Sequence, residues 1–503
     1  MDYGAKVKTL RRVMRECRYY DSLGSLLMRD QWLELPERDM AYRQKMQGFF
    51  SGKQGELFHD KEVAQCAAFF ENFDPANLAT DLERGMVRYF LYLYKTRAKI
   101  PPEKLAQSSA LTARAQALWR EAHDKSDYAL FKPVLKEMFE LKTEIARSVD
   151  PNKPPMEVLA DMCDEGISVE TVDRLFGELR DGIVDLLGKI RSRGVDVDDA
   201  CLRESFDKEE LKRLVRHLAE GVGYPPERGE FYGEVLHPFS VSIGPSDARI
   251  TTNYDSLQFG IFSTLHEAGH GLYSLNADAD VVDHHLWGGH PGAFHESQSR
   301  FYENIVGRSR EFWVHFYPRL QESFPHFKKV DLQTFYRAVN KVRPSLKRIL
   351  ADELTYSLHP IIRFEIEKAI FDGKTDFDRL PELWNDKYEE YLSLRPQNDR
   401  EGLLQDMHWG GGYIGYFQSY TLGNLYGGQF RHAMLKTVPN VYEEIASGNF
   451  GPLNSWLTEH IHRHGRVYSP QDLLARATGE TLKSGYFLDY LREKYKEIYK
   501  LPD

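Results

Sequence analysis

Apolar residues recur at steps of three and four over residues 169–193: Val172, Leu175, Phe176, Leu179, Ile183, Leu186, Leu187 and Ile190. That spacing predicts an amphipathic helix with one buried stripe. Ser168 before it and Gly194 after it supply a side-chain N-cap and a left-handed C-cap. The same period dominates from the start of the chain to about residue 220. It is interrupted at Asp150-Pro151-Asn152-Lys153-Pro154-Pro155, where three prolines remove donors and fix φ, so a short connection between helices is expected there. Residues 224–255 change character. Alternation, β-branched residues and the turn signal Gly244-Pro245-Ser246-Asp247 predict a small antiparallel sheet, with strands near 239–243 and 248–252. Helical periodicity then resumes and runs to the end, where Leu488, Leu491, Tyr495, Ile498 and Tyr499 share one face of a last helix. The predicted fold is mostly α with one small β element.

Composition narrows the class of protein. A chain of 503 residues can bury a large core, and its 42% hydrophobic content excludes disorder as the main state. A net charge of −10 disfavours wrapping nucleic acid or lying on an anionic membrane. The four cysteines, Cys17, Cys66, Cys163 and Cys201, are widely spaced with no CxxC pair, which fits a reducing compartment and argues against a cysteine-ligated metal. The N-terminal stretch is charged where a signal peptide needs an apolar core, and no apolar run approaches the ~20 residues that span a bilayer. The expectation is a soluble cytoplasmic protein with no nucleic-acid or membrane partner.

Chemistry enters at His266-Glu267-Ala268-Gly269-His270, an HExxH set inside an apolar helical pattern. Four residues turn a helix by about 400°, so the two histidines lie roughly 40° apart on one face and can share one zinc-sized ion. Glu267 falls beside that face, where its carboxylate can take a proton from the attacking water. With 18 histidines in the chain, chance predicts on the order of 0.05 such motifs; the bland alternative is two histidines packed within a core helix. A catalytic site needs a third ligand and an open position. Glu296, on a second helical segment 26 residues after His270, is the candidate. Its neighbour His295 sits about 100° round that helix and is expected to face away, in a supporting or packing role. Asp283, His284, His285 and His290 lie in a Gly-rich context that suits solvated or substrate-lining roles better than ligation.

These residues fall into an ordered set. His237-Pro238-Phe239, Asp247-Ala248-Arg249-Ile250-Thr251, the HExxH motif, His295-Glu296-Ser297-Gln298, Arg348-Ile349-Leu350-Ala351-Asp352 and Gly402-Leu403-Leu404-Gln405-Asp406-Met407-His408-Trp409 follow one another as in the carboxypeptidase Taq family of metallocarboxypeptidases, which the chain resembles. The resemblance implies a large helical, zincin-like single domain over 1–503 with a deep groove and the small sheet near the active site. Residues 1–220 would form a helical lobe covering the groove, and 221–503 the lobe with the sheet, the HExxH helix and the substrate-binding motifs. It further implies removal of single residues from peptide C-termini, one zinc or cobalt ion, and a homodimer. By the match His266, His270 and Glu296 would be ligands and Glu267 the base. Two residues depart from the family pattern, Lys347 where Ile is usual and Gln418 where Pro often stands, both beside the matched positions.

An exopeptidase of this kind must recognise a free carboxylate, which a guanidinium does with two directed bonds. Arg348 is the family's candidate and Arg249 a second. The stretch from His408 to Phe417 also resembles the angiotensin-converting enzyme group, in which a histidine and two tyrosines three apart meet the product carboxylate and the oxyanion; His408, Tyr413 and Tyr416 match those positions. With Tyr420 they could instead form a plain aromatic core face. The nearest rival function is an oligopeptidase or dipeptidyl carboxypeptidase of the thimet or angiotensin-converting type. A helical binding scaffold with a vestigial site would have lost a ligand or the base, and none is lost.

Overall fold

A computed structural model describes residues 3–228, 231–232, 235 and 237–502. Packing divides the chain into two compact units, each assembled from three stretches: Met1–Ala98, Val197–Val339 and Tyr426–Leu482 in the first, Lys99–Asp196, Asn340–Leu425 and Lys483–Asp503 in the second.

In the second unit the helix Val169–Arg193 forms as its periodicity requires, with all eight stripe residues buried. Ser168 Oγ accepts the Thr171 N–H at 3.1 Å, and Gly194 closes the other end at φ +67°. The last helix, Gly485–Tyr499, packs against it through its expected apolar face. Phe176 meets Phe364 of the helix Leu358–Phe371 edge-on at 5.1 Å. Residues 150–154 connect the helix ending at Val149 to the one opening at Pro155.

In the first unit, four helices, Tyr3–Leu33, Met40–His59, Lys61–Glu71 and Asp81–Arg97, enclose a core that includes Val13, Phe58, Phe70 and Phe90. The sheet follows. Strands β2 (Ser240–Gly244) and β3 (Asp247–Thr251) pair antiparallel within one residue of their expected places. The short strand β1 (Phe231–Tyr232) adds to β3 in parallel, which the sequence pattern did not announce because two residues carry no period. Val241, Ala248 and Ile250 are buried where β2 and β3 pack on the helix Leu257–Leu275, and burying a side chain the size of Val or Ile contributes about 2 kcal/mol. That helix starts at Ser256, whose hydroxyl accepts the Phe259 N–H, and Thr252, Ser263 and Thr264 tie it to the end of β3 by hydroxyl bonds of 2.8 and 3.0 Å. No helix among the described residues is long and apolar enough to cross a membrane.

Candidate metal centre

His266 and His270 stand one turn apart on the Leu257–Leu275 helix, and Gly269 decides what can approach them. A Cβ at Gly269 would lie 2.5 Å from the Gln298 carbonyl oxygen and 2.8 Å from Ser299 Cα. Glycine therefore lets the helix Ala293–Arg300 close in and deliver Glu296. His266 Nε2 and His270 Nε2 lie 3.9 and 3.8 Å from Glu296 Oε2. The three donor atoms fall within 4.8 Å of one another, the one such group among the described residues. This set fits a divalent ion bonded at about 2.0–2.2 Å to each donor.

The other ring nitrogens are held as ligating histidines require. His266 Nδ1 lies 2.8 Å from Glu303 Oε2 and His270 Nδ1 lies 2.7 Å from His295 Nδ1, which leaves both Nε2 atoms turned toward Glu296. Glu303 belongs to a π-helical turn, Phe301–Val306, that continues the Glu296 helix; such turns often occur at functional sites. Arg300 bridges the two acids, 2.8 Å from Glu296 Oε1 and 3.1 Å from Glu303 Oε2. Glu267 is buried beside them at 5% exposure.

The candidates for substrate recognition lie in the second unit, apart from Arg249. Arg348 donates from Nε to Asp406 Oδ2 at 3.3 Å and from Nη1 to the Tyr356 hydroxyl at 3.0 Å, and its guanidinium lies 4.6 Å from the Tyr420 ring centre. Asp406 also receives Arg363 Nε at 3.1 Å and contacts His408 Nδ1. His408 stacks on Tyr416 and lies 5.9 Å from Tyr413 between ring centres. Tyr413 and Tyr416 sit on an irregular Gly-rich turn, and the helix Gln418–Thr437 begins only after them. Tyr413 is 55% exposed, so the core-face reading fails for it. Arg249, on β3 in the first unit, forms a two-bond pair with Asp247 at 3.0 and 2.9 Å, because alternate strand residues share a face. Thr251, next on that face, bonds Phe239 through its backbone N–H and its hydroxyl, which joins two of the sequence motifs.

Residues 9–495 match the family described as carboxypeptidase Taq (M32) metallopeptidase. The chain belongs to that family. It is 39% identical to "Carboxypeptidase 1" of Bacillus subtilis over 86% of both chains, and 33% identical to "Thermostable carboxypeptidase 1" of Pyrococcus furiosus over 97% of this chain and 98% of that one. A solved M32 carboxypeptidase from Deinococcus radiodurans superposes with a TM-score of 0.93 at 33% identity, covering 98% of this chain and 99% of that chain. The protein is thus an M32 metallocarboxypeptidase, a peptide hydrolase.

Within this M32 chain, burial, reinforced by the charges of Glu296 and Glu303, pushes the Glu267 carboxyl up to about 7. Burial would also raise Glu303, but Arg300 and the His266 hydrogen bond outweigh it and bring that carboxyl down to about 2. His295 turns toward His270 rather than away, and burial lowers it to about 4, so it supports the ring as an uncharged partner. His290 is buried, its ring bonded to the Tyr468 carbonyl at 2.8 Å, which makes it a packing residue of its loop and not a substrate-lining one. Three contributors escaped the sequence reading: Glu303, Gly269 and Asp406. The first had a visible signal, since Glu296, Arg300 and Glu303 are charges at i, i+4 and i+7, which share one helix face.

Proposed function

We propose that this metallocarboxypeptidase removes single amino acids from peptide C-termini, with Glu267 as general base and His266, His270 and Glu296 as the ligands of one zinc or cobalt ion. The observation that carries the proposal is the convergence of two imidazole nitrogens and a carboxylate oxygen beside the buried carboxyl of Glu267. A divalent ion bound there would supply a Lewis acid for the scissile carbonyl and for water. Glu267 takes the proton of the attacking water and returns it to the departing amine, a role suited to a carboxyl poised near the working pH. Glu303 and His295 orient the two histidines. Arg348 meets the terminal carboxylate, with Arg249 second and with His408 and Tyr413 as helpers, and Tyr416 gives an O–H donor to the developing oxyanion, contributing about 3 kcal/mol when preorganised.

The reading extends to a cytoplasmic homodimer acting on peptides with a free C-terminus. Exposed Tyr19, Leu23, Trp32, Tyr42 and Phe49 on the helices Tyr3–Leu33 and Met40–His59 support self-association.

The test is metal analysis joined to product identification on a defined peptide. One equivalent of metal, single amino acids released in sequence from the free acid and slow cleavage of the C-terminal amide are expected. Equal rates on acid and amide, or release of dipeptides or internal fragments, would overturn the exopeptidase reading in favour of an oligopeptidase.

A further inference from the structure

Glu367 lies on the helix Leu358–Phe371 with no exposed surface, and no role in binding or hydrolysis falls to it so far. Its two oxygens are both engaged, and both by the same turn. Oε1 accepts the Trp409 indole N–H at 2.7 Å, and Oε2 accepts the Gly415 backbone N–H at 2.9 Å. Between those two anchors runs the Gly-rich arch that carries Tyr413. One helical turn earlier, Arg363 holds Asp406, which in turn contacts His408. A single helix therefore grips the arch at its entry and at both feet.

The rest of the arch is built to stay put everywhere except at its tip. Trp409, Ile414 and Phe417 are buried, while Tyr413 is 55% exposed. Gly415 adopts φ +77°, and a Cβ there would stand 2.7 Å from Leu159 Cβ, so the foot is pressed against its neighbour. Its carbonyl accepts Gln418 Nε2 at 2.6 Å, and the same amide nitrogen reaches Asp164 at 3.2 Å. Gln418 thus contributes a second tie at the position where the family pattern often has proline. Internal bonds from Gly412 to the Trp409 carbonyl and from Tyr413 to the His408 carbonyl complete the turn.

We infer that Glu367 is a positioning residue for peptide binding: by bonding Trp409 and Gly415 together it closes the 409–415 arch and sets where Tyr413 and His408 stand. The inference rests on the reading of those two residues as substrate contacts. It assigns Glu367 to the binding of substrate rather than to the bond-breaking step, because both of its oxygens are engaged by the arch, at Trp409 and Gly415.

The experiment compares Glu367→Gln with the parent enzyme, both loaded with zinc. The amide keeps the shape but turns an NH2 toward one of the two N–H donors, so one anchor is lost. KM for a free-acid peptide should rise about tenfold with kcat within about threefold, the signature of lost binding. Zinc stoichiometry should be unchanged. Chymotrypsin, well below the unfolding midpoint, should cut after Tyr413 about tenfold faster, since the cut requires the arch to open. Trp409→Phe removes one anchor without touching Glu367 and carries the test if the Gln variant does not fold. It should raise KM by a few-fold, and because both changes act on one clamp the double variant should depart from the sum of the two single effects. An unchanged KM together with an unchanged cut at Tyr413 overturns the inference, as does a loss of kcat that tracks global unfolding. Tyr413→Ala separates the two layers: if it leaves KM unaltered, the substrate-contact reading fails, whereas faster cutting in Glu367→Gln still establishes the clamp.

Discussion

The first unit gathers the carboxylates of Glu267, Glu296 and Glu303 around two histidines, with Arg300 and Arg308 as the cations against them. The second sets the guanidiniums of Arg348 and Arg363 on the single carboxylate of Asp406, beside His408. Both clusters are buried, yet one holds a carboxylate in excess and the other a guanidinium in excess. Burying an uncompensated charge costs several kcal/mol, so each cluster favours a partner of opposite sign. The first suits a divalent cation and the second an anionic group such as a peptide's terminal carboxylate. The difference also qualifies Arg348. Two of its three nitrogens already serve Asp406 and Tyr356, so its guanidinium is held rigid rather than mobile.

The strongest way to probe the cation-seeking cluster is Glu267→Gln. It removes the base and keeps the ligands, so turnover should fall by at least the ~10²–10⁴ that general-base catalysis supplies, while metal analysis still returns one equivalent. A variant that keeps most of its turnover would take Glu267 out of the mechanism. Glu303→Gln acts on the same cluster one step further out. With a neutral amide in place of the carboxylate, His266 loses its charged acceptor, and metal affinity measured by competition with a chelator should weaken about 10–100-fold. Unchanged affinity would reduce Glu303 to a packing role.

The anion-seeking cluster is tested by Arg348→Ala. Asp406 keeps Arg363 and His408, so the fold should survive, and cleavage of the free acid should drop about 10–100-fold while cleavage of the amide changes little. Equal losses on both substrates, with a lowered melting temperature, would make Arg348 part of the scaffold instead.

The last test concerns Glu367, one turn beyond Arg363 on the same helix. Burial raises it from 4.5 to about 7, against which Trp409, Gly415 and Arg363 act, while Asp406 adds to the rise; Cys163 lies close enough to feel its charge. Because the folded value is the higher one, the folded chain holds a proton that the unfolded chain has released between those two values. Stability should therefore fall as pH rises through that window, by about 3 kcal/mol at most. Denaturant unfolding of Glu367→Gln across the same window should show a correspondingly flatter profile, and an identical slope in both proteins would exclude Glu367 as its source.

Much of this was legible along the chain. The Val172-to-Ile190 stripe, its caps, the β2–β3 pair and the last helix all depend on neighbours within a few residues, and periodicity reports such neighbours directly. The HExxH pair was legible for the same reason, since one helical turn fixes both histidines. Glu296 was legible as a residue type at a suitable distance on a second helix. The Tyr413–Tyr416 spacing looked regular but belongs to a glycine turn, where three residues no longer mean one face.

What the sequence determined by itself is the helical character of the chain, the pair of histidines one turn apart and the chemistry those residue types support. What only the tertiary structure decided is which distant groups meet. Gly269 admits the Glu296 helix, a π turn carries Glu303 to His266, and Asp406 joins Arg348 and Arg363 from 58 and 43 residues away. Periodicity is a property of a few adjacent residues, set by backbone geometry. Convergence across tens of residues depends on close packing and on the balance of buried charge, which no local pattern encodes.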